Sequence, residues 1–127
     1  MPTLTLQLHS GEYAVCRLAP AVAVPSWSDG PGFSSITRTA DELSIICLAA
    51  RVPAGVKHEH GWRLLQLAGP FDFGAVGILS SVLAPLAAAK VSSLAVATFD
   101  TDYLLIKANA LLPALAALRG AGHIVRE

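Results

Sequence analysis

A mixed α+β fold is predicted by three features of this 127-residue chain. Polar and apolar residues alternate with period two at several places in its first half. The order of elements changes after residue 60 to strand, helix, strand, strand, helix, strand. With 54% hydrophobic residues, the chain also has ample apolar mass for burial. Strands interleaved with two helices of this length fit a ferredoxin-like sandwich, in which the helices cover one face of a sheet.

Taken in order, residues 3–9 alternate and residues 13–18 do so again after Ser10-Gly11-Glu12, which predicts a β-hairpin. Residues 19–32 hold Pro20, Pro25, Pro31, Gly30 and Gly32, a density that breaks regular structure and predicts a loop around Trp27. Residues 33–37 and 43–48 predict a second strand pair joined at Thr39-Ala40-Asp41-Glu42. The stretch 51–61, with Pro53 and Gly55, is the best internal boundary and divides the chain into lobes 1–60 and 61–127.

The second lobe opens with a strand over residues 62–68. A helix follows over 74–89, where Val76, Leu79, Leu83 and Leu86 share one face and Pro85 removes one backbone hydrogen bond. Strands are expected over 93–99 and 103–107. Asn109 is the expected N-cap of a second helix striped by Leu111, Leu112, Leu115 and Leu118. Gly120 and Gly122 end that helix, and residues 123–126 supply a last strand.

Nine basic residues balance nine acidic ones, so no field gathers nucleic acid or an anionic membrane surface. The longest apolar stretch, residues 82–89, is far short of the ~20 residues a bilayer requires. With no secretory signal evident after Met1-Pro2, a soluble cytoplasmic protein is expected. Cys16 and Cys47 are expected as buried, reduced thiols. His58-Glu59-His60 offers two imidazoles at i and i+2, but a tight metal site needs three or four ligands, so a solvated linker is expected and no metal or cofactor. No GxSxG elbow surrounds a serine and no phosphate-cradling GxGxxG or P-loop occurs, so no catalytic residue is expected.

Several stretches together resemble the ACT domain family, ligand-sensing modules of amino-acid metabolism with a ferredoxin-like fold. They are Phe33-Ser34-Ser35-Ile36-Thr37-Arg38-Thr39 with Glu42-Leu43-Ser44-Ile45-Ile46-Cys47, then Phe71-Asp72-Phe73 with Gly77-Ile78-Leu79, Ala84-Pro85-Leu86-Ala87, and Thr98-Phe99-Asp100-Thr101-Asp102-Tyr103-Leu104-Leu105. The pattern is most similar to small two-lobed ACT-like proteins related to the CASTOR-type arginine sensors. The resemblance implies a complete βαββαβ lobe preceded by a smaller, mostly β, incomplete one.

In function, the resemblance implies a non-enzymatic regulator that binds an amino acid or similar zwitterion at a lobe or subunit interface. Its output would pass through a separate protein partner, and the alternative is an oligomerisation module with a vestigial site. Ligand contacts are implied for Asp72, Phe73, Val76, Gly77 and Ile78 at the first helix start. Thr98, Phe99, Thr101 and Asp102 would supply the rest from the facing turn. In chemical terms, backbone amides at a helix start favour a ligand carboxylate, and Asp102 would accept its ammonium. Ala75 stands where arginine-sensing relatives carry an acidic residue, which puts selectivity for a cationic side chain in question. Apolar helical faces and open sheet edges imply a homodimer or larger assembly.

Overall fold

A computed structural model describes residues 3–71 and 74–127. Its strands are β1 (Thr5–Leu8), β2 (Tyr13–Leu18), β3 (Ser35–Arg38), β4 (Leu43–Leu48), β5 (Lys57–Leu67), β6 (Leu94–Ala97), β7 (Asp102–Lys107) and β8 (Ile124–Arg126). Two α-helices accompany them, α1 (Ile78–Ala88) and α2 (Leu111–Gly120). The chain forms two compact units: Gly11–Trp62 is one, and the residues up to Ser10 join Arg63–Glu127 in the other.

In the Gly11–Trp62 unit, β3, β4 and β2 pair in that order and β2 pairs with the first part of β5. Alternation in β4 sends Leu43, Ile45 and Cys47 into a core with Ala14 and Cys16, and Trp27, Val52 and Val56 pack against it. The expected β3–β4 pair forms, and Thr39 closes its turn by accepting the backbone N–H groups of Asp41 and Glu42 at its hydroxyl. The expected linker at His58-Glu59-His60 is instead strand. These residues pair along β2, and the β5 side of that ladder carries one extra residue near Gly61, whose φ of +87° suits a bulge.

The other unit carries the ferredoxin-like order β5-α1-β6-β7-α2-β8. Its sheet runs β6-β7-β5-β1-β8, with β1 antiparallel to β5 and parallel to β8. The hairpin expected between β1 and β2 therefore does not form. Leu6 opposes Leu67 and Leu8 opposes Leu65, which satisfies the backbone of β1 and buries its alternating leucines under the helices. This pairing places residues 3–10 with Arg63–Glu127. The core combines Leu4, Leu6, Leu65, Leu67, Leu104 and Ile106 from the strands with Val82, Leu86, Leu115 and Leu118 from the helices.

Helix details depart from expectation in three places. Val76 precedes α1 and is 91% exposed, because the helix begins only after Gly77 adopts a left-handed conformation. Asn109 does not cap α2: a single 3-10 turn over Ala108–Ala110 intervenes, and Ala110 occupies the cap position. Leu112 is 79% exposed, so the buried stripe of α2 runs through Ala114, Leu115 and Leu118. No helix among the described residues is long and apolar enough to cross a membrane.

Candidate functional site

The start of α1 faces the turn between β6 and β7 across an open cavity of about 360 Å³. Phe71, Ala75, Gly77, Ile78, Leu79 and Ser80 line one side, and residues 97–102 line the other. Among the described residues no side chain caps α1 and no acidic residue lies in its first turn. The first backbone N–H groups of a helix lack intrahelical acceptors, so this end offers donors and a positive dipole end to an anion. Gly77, at φ +83°, lets the chain enter the helix without a side chain over the cavity.

The opposite wall is held firmly. Thr98 N and Thr98 Oγ1 each donate to the Thr101 carbonyl at 2.9 Å, closing a tight turn. The buried Thr101 hydroxyl donates to the Leu67 carbonyl at 2.7 Å, and Phe71 N donates to the Asp100 carbonyl at 2.8 Å. A side chain at Gly69 would lie 2.8 Å from the Asp100 carbonyl oxygen and 3.0 Å from Thr101 Cβ, so only glycine allows this approach. The backbone of the turn is thus fixed while the Asp100 and Asp102 side chains remain at the cavity wall.

Of the residues expected to bind ligand, Gly77, Ile78, Thr98, Phe99, Thr101 and Asp102 line this cavity together. Val76 does not, and Asp72 and Phe73 lie outside the described residues. Thr101 donates its hydroxyl to the Leu67 carbonyl, a bond that anchors the turn from beneath the cavity wall. Phe71, Ala75, Leu79, Ser80, Ala97 and Asp100 also line the cavity and were not anticipated. The signal in the sequence for Asp100 is its separation of two residues from Asp102.

Cys16 and Cys47 are free and buried. Burial, reinforced by neighbouring Cys47, pushes the Cys16 thiol up to about 11, and burial also raises Cys47 against the opposing pull of Arg51. Such thiols are poor nucleophiles. Among the described residues no group of three or more His, Cys, Asp or Glu side chains is placed to hold a metal.

The strand and helix order of this lobe, β5-α1-β6-β7-α2-β8, is the ferredoxin-like architecture of an ACT domain. The chain belongs to the ACT domain family, whose model matches residues 57–120, and a model of an N-terminal domain matches residues 11–55. Protein Atu0741 from Agrobacterium tumefaciens, known from an X-ray crystal structure, is 42% identical over 98% of this chain and 93% of its own, with a TM-score of 0.94. A Vibrio cholerae protein, VC0802, described as of unknown function and a possible transport protein, superposes with a TM-score of 0.77. It is 20% identical, over 94% of this chain and 90% of its own.

The ligand-free regulatory subunit of aspartate kinase from Thermus thermophilus shares the fold, with a TM-score of 0.57 and 11% identity over 91% of this chain and 95% of its own. No curated protein sequence matches the chain. ACT domains generally bind amino acids in regulatory proteins.

Proposed function

We propose that this protein is a non-enzymatic regulator or sensor that binds an amino acid or similar small zwitterion in the cavity between α1 and the β6–β7 turn. The observation that carries this reading is the opposition of two complementary ends. The uncapped start of α1 suits a carboxylate, and Asp102, with Asp100 nearby, suits an ammonium. Phe71, Ile78, Leu79 and Phe99 give the ligand side chain an apolar wall. Ala75, on that wall, provides no carboxylate for a guanidinium, so the resemblance to arginine sensors carries no argument for arginine itself.

A thermal-shift screen against the twenty amino acids tests the reading, because a ligand of the native state alone stabilises it by RT ln(1 + [L]/Kd). A concentration-dependent rise with one or a few amino acids supports it. A flat response to all twenty at millimolar concentration removes it.

A second reading, an oligomerisation module with a vestigial ligand site, is favoured by the rim of the cavity. Phe99 is 79% exposed there, Val76, between the lining residues Ala75 and Gly77, is 91% exposed, and among the described residues β6 pairs on one side only, with β7. Apolar side chains next to an open strand edge suit a second copy of the chain. Under either reading the protein is a homodimer or larger, and a monomer by light scattering at tens of micromolar would exclude that assembly.

A further inference from the structure

We propose that His58 and His60 form a binding site for one divalent first-row transition-metal ion, independent of the amino-acid cavity. Both imidazoles lie on β5 at i and i+2 and line one cavity of about 480 Å³ together with Glu12. That spacing on a strand places both side chains on the same side. The bulge at Gly61 ends the run, so the next residue, Trp62, is buried while the two histidines stay exposed.

The contacts of the two rings bear on which nitrogen would face an ion. His58 Nδ1 stands 2.7 Å from the Val56 carbonyl oxygen, which only accepts, so Nδ1 carries the hydrogen and Nε2 carries the lone pair. His60 Nδ1 lies 3.9 Å from Glu12 Oε2, too long for a hydrogen bond, and a small turn of the exposed ring would bring that carboxylate onto the outer nitrogen. Carbonyl and carboxylate partners on the outer nitrogen are the usual companions of metal-bound imidazole, because they fix the ring and raise its basicity.

The ring centroids are 6.2 Å apart. At metal–nitrogen distances of ~2.0–2.1 Å, two rings sharing one ion stand about 5 Å apart, a gap that rotation of the exposed His60 side chain closes while His58 keeps its Val56 contact. With only two protein ligands, water completes the coordination. Imidazole nitrogen and the Irving–Williams order then rank Cu(II) above Ni(II) and Zn(II).

The test is calorimetric titration of the full, tag-free chain with Cu(II), Ni(II) and Zn(II), beside the variants His58→Gln, His60→Gln and the double variant. One Cu(II) per chain is expected, with Ni(II) and Zn(II) weaker and at least ten-fold loss of Cu(II) affinity in each single variant. The wild-type Cu(II) paramagnetic resonance spectrum should carry splitting from two nitrogens, a readout that does not depend on the variants folding. Failure of wild type to bind one equivalent, or wild-type affinity in the double variant, would overturn the proposal.

Discussion

His123 Nε2 donates a 2.7 Å hydrogen bond to the Ser81 carbonyl, the acceptor that Pro85 leaves without its helical donor. In a regular helix the N–H of residue 85 would bond that oxygen; proline has none, and the ring of a residue next to β8 takes its place. The same imidazole accepts the Leu4 N–H at Nδ1, 3.1 Å away, so one tautomer satisfies a strand and a helix together. His123 is only 5% exposed, so neither orphaned group would find bulk water easily.

His123→Ala should therefore cost about 2–4 kcal/mol of stability, for two buried groups left unpaired. In a Pro85→Ala background the cost should fall by about 1 kcal/mol, because a restored helical N–H can bond the Ser81 carbonyl. Urea unfolding of the four proteins measures this coupling, and strict additivity would refute the assignment.

The Thr101 hydroxyl and the missing side chain of Gly69 jointly set the acidic turn. Thr101→Val keeps the shape but strands the Leu67 carbonyl, at an expected cost of about 1–3 kcal/mol. Gly69→Ala drives a methyl group against the Asp100 carbonyl oxygen and should cost about 1–3 kcal/mol, the range for overpacking. Denaturant midpoints measure both costs. Either change should also weaken ligand binding more than an exposed substitution such as Leu112→Ala.

The fold was legible wherever local pattern and tertiary partner agree. The β3–β4 pair announces itself through alternation flanking a turn rich in polar residues, and both helices through leucine spacing. β1 misled because alternation reports a half-buried strand but not which strand it pairs with; a short connection favoured β2, whereas burial of Leu4 and Leu6 under the helices selected β5 and β8. Val76 and Leu112 misled because a spacing rule cannot see where a helix begins or how wide its contact face is. The acidic turn was legible from Asp100 and Asp102. Its supports, Gly69 and the Thr101–Leu67 bond, were not, since both are long-range and leave no periodic signal.

Cys16 gives a pH dependence of known sign. Its thiol ionises near 9.0 when unfolded and near 11 in the fold, chiefly because burial disfavours the thiolate. The native state therefore holds the proton more tightly: the contribution is fully present below pH 9 and is lost as pH rises through 11. Urea midpoints should fall across that window in wild type and fall less in Cys16→Ala, where the raised Cys47 thiol remains. At pH 8 the native protein should react slowly with a thiol reagent and the denatured protein quickly.

Asp102 is where the functional proposal is most exposed to test. Asp102→Asn keeps the size of the side chain and removes its charge, so an ammonium held there should bind about 1.5–3 kcal/mol more weakly, the range for a hydrogen bond to a charged group. Asp100 also lines the cavity but is exposed, and water screens its carboxylate more fully, so Asp100→Asn should cost less than half as much. Among the described residues neither carboxylate caps a helix or joins the core, so melting temperatures without ligand should stay close to wild type. Calorimetry with the best ligand from the amino-acid screen separates the outcomes. A loss specific to Asp102→Asn assigns it the ammonium, an equal loss in both variants makes the pair a shared acceptor, and unchanged affinity in both leaves the turn a structural feature alone.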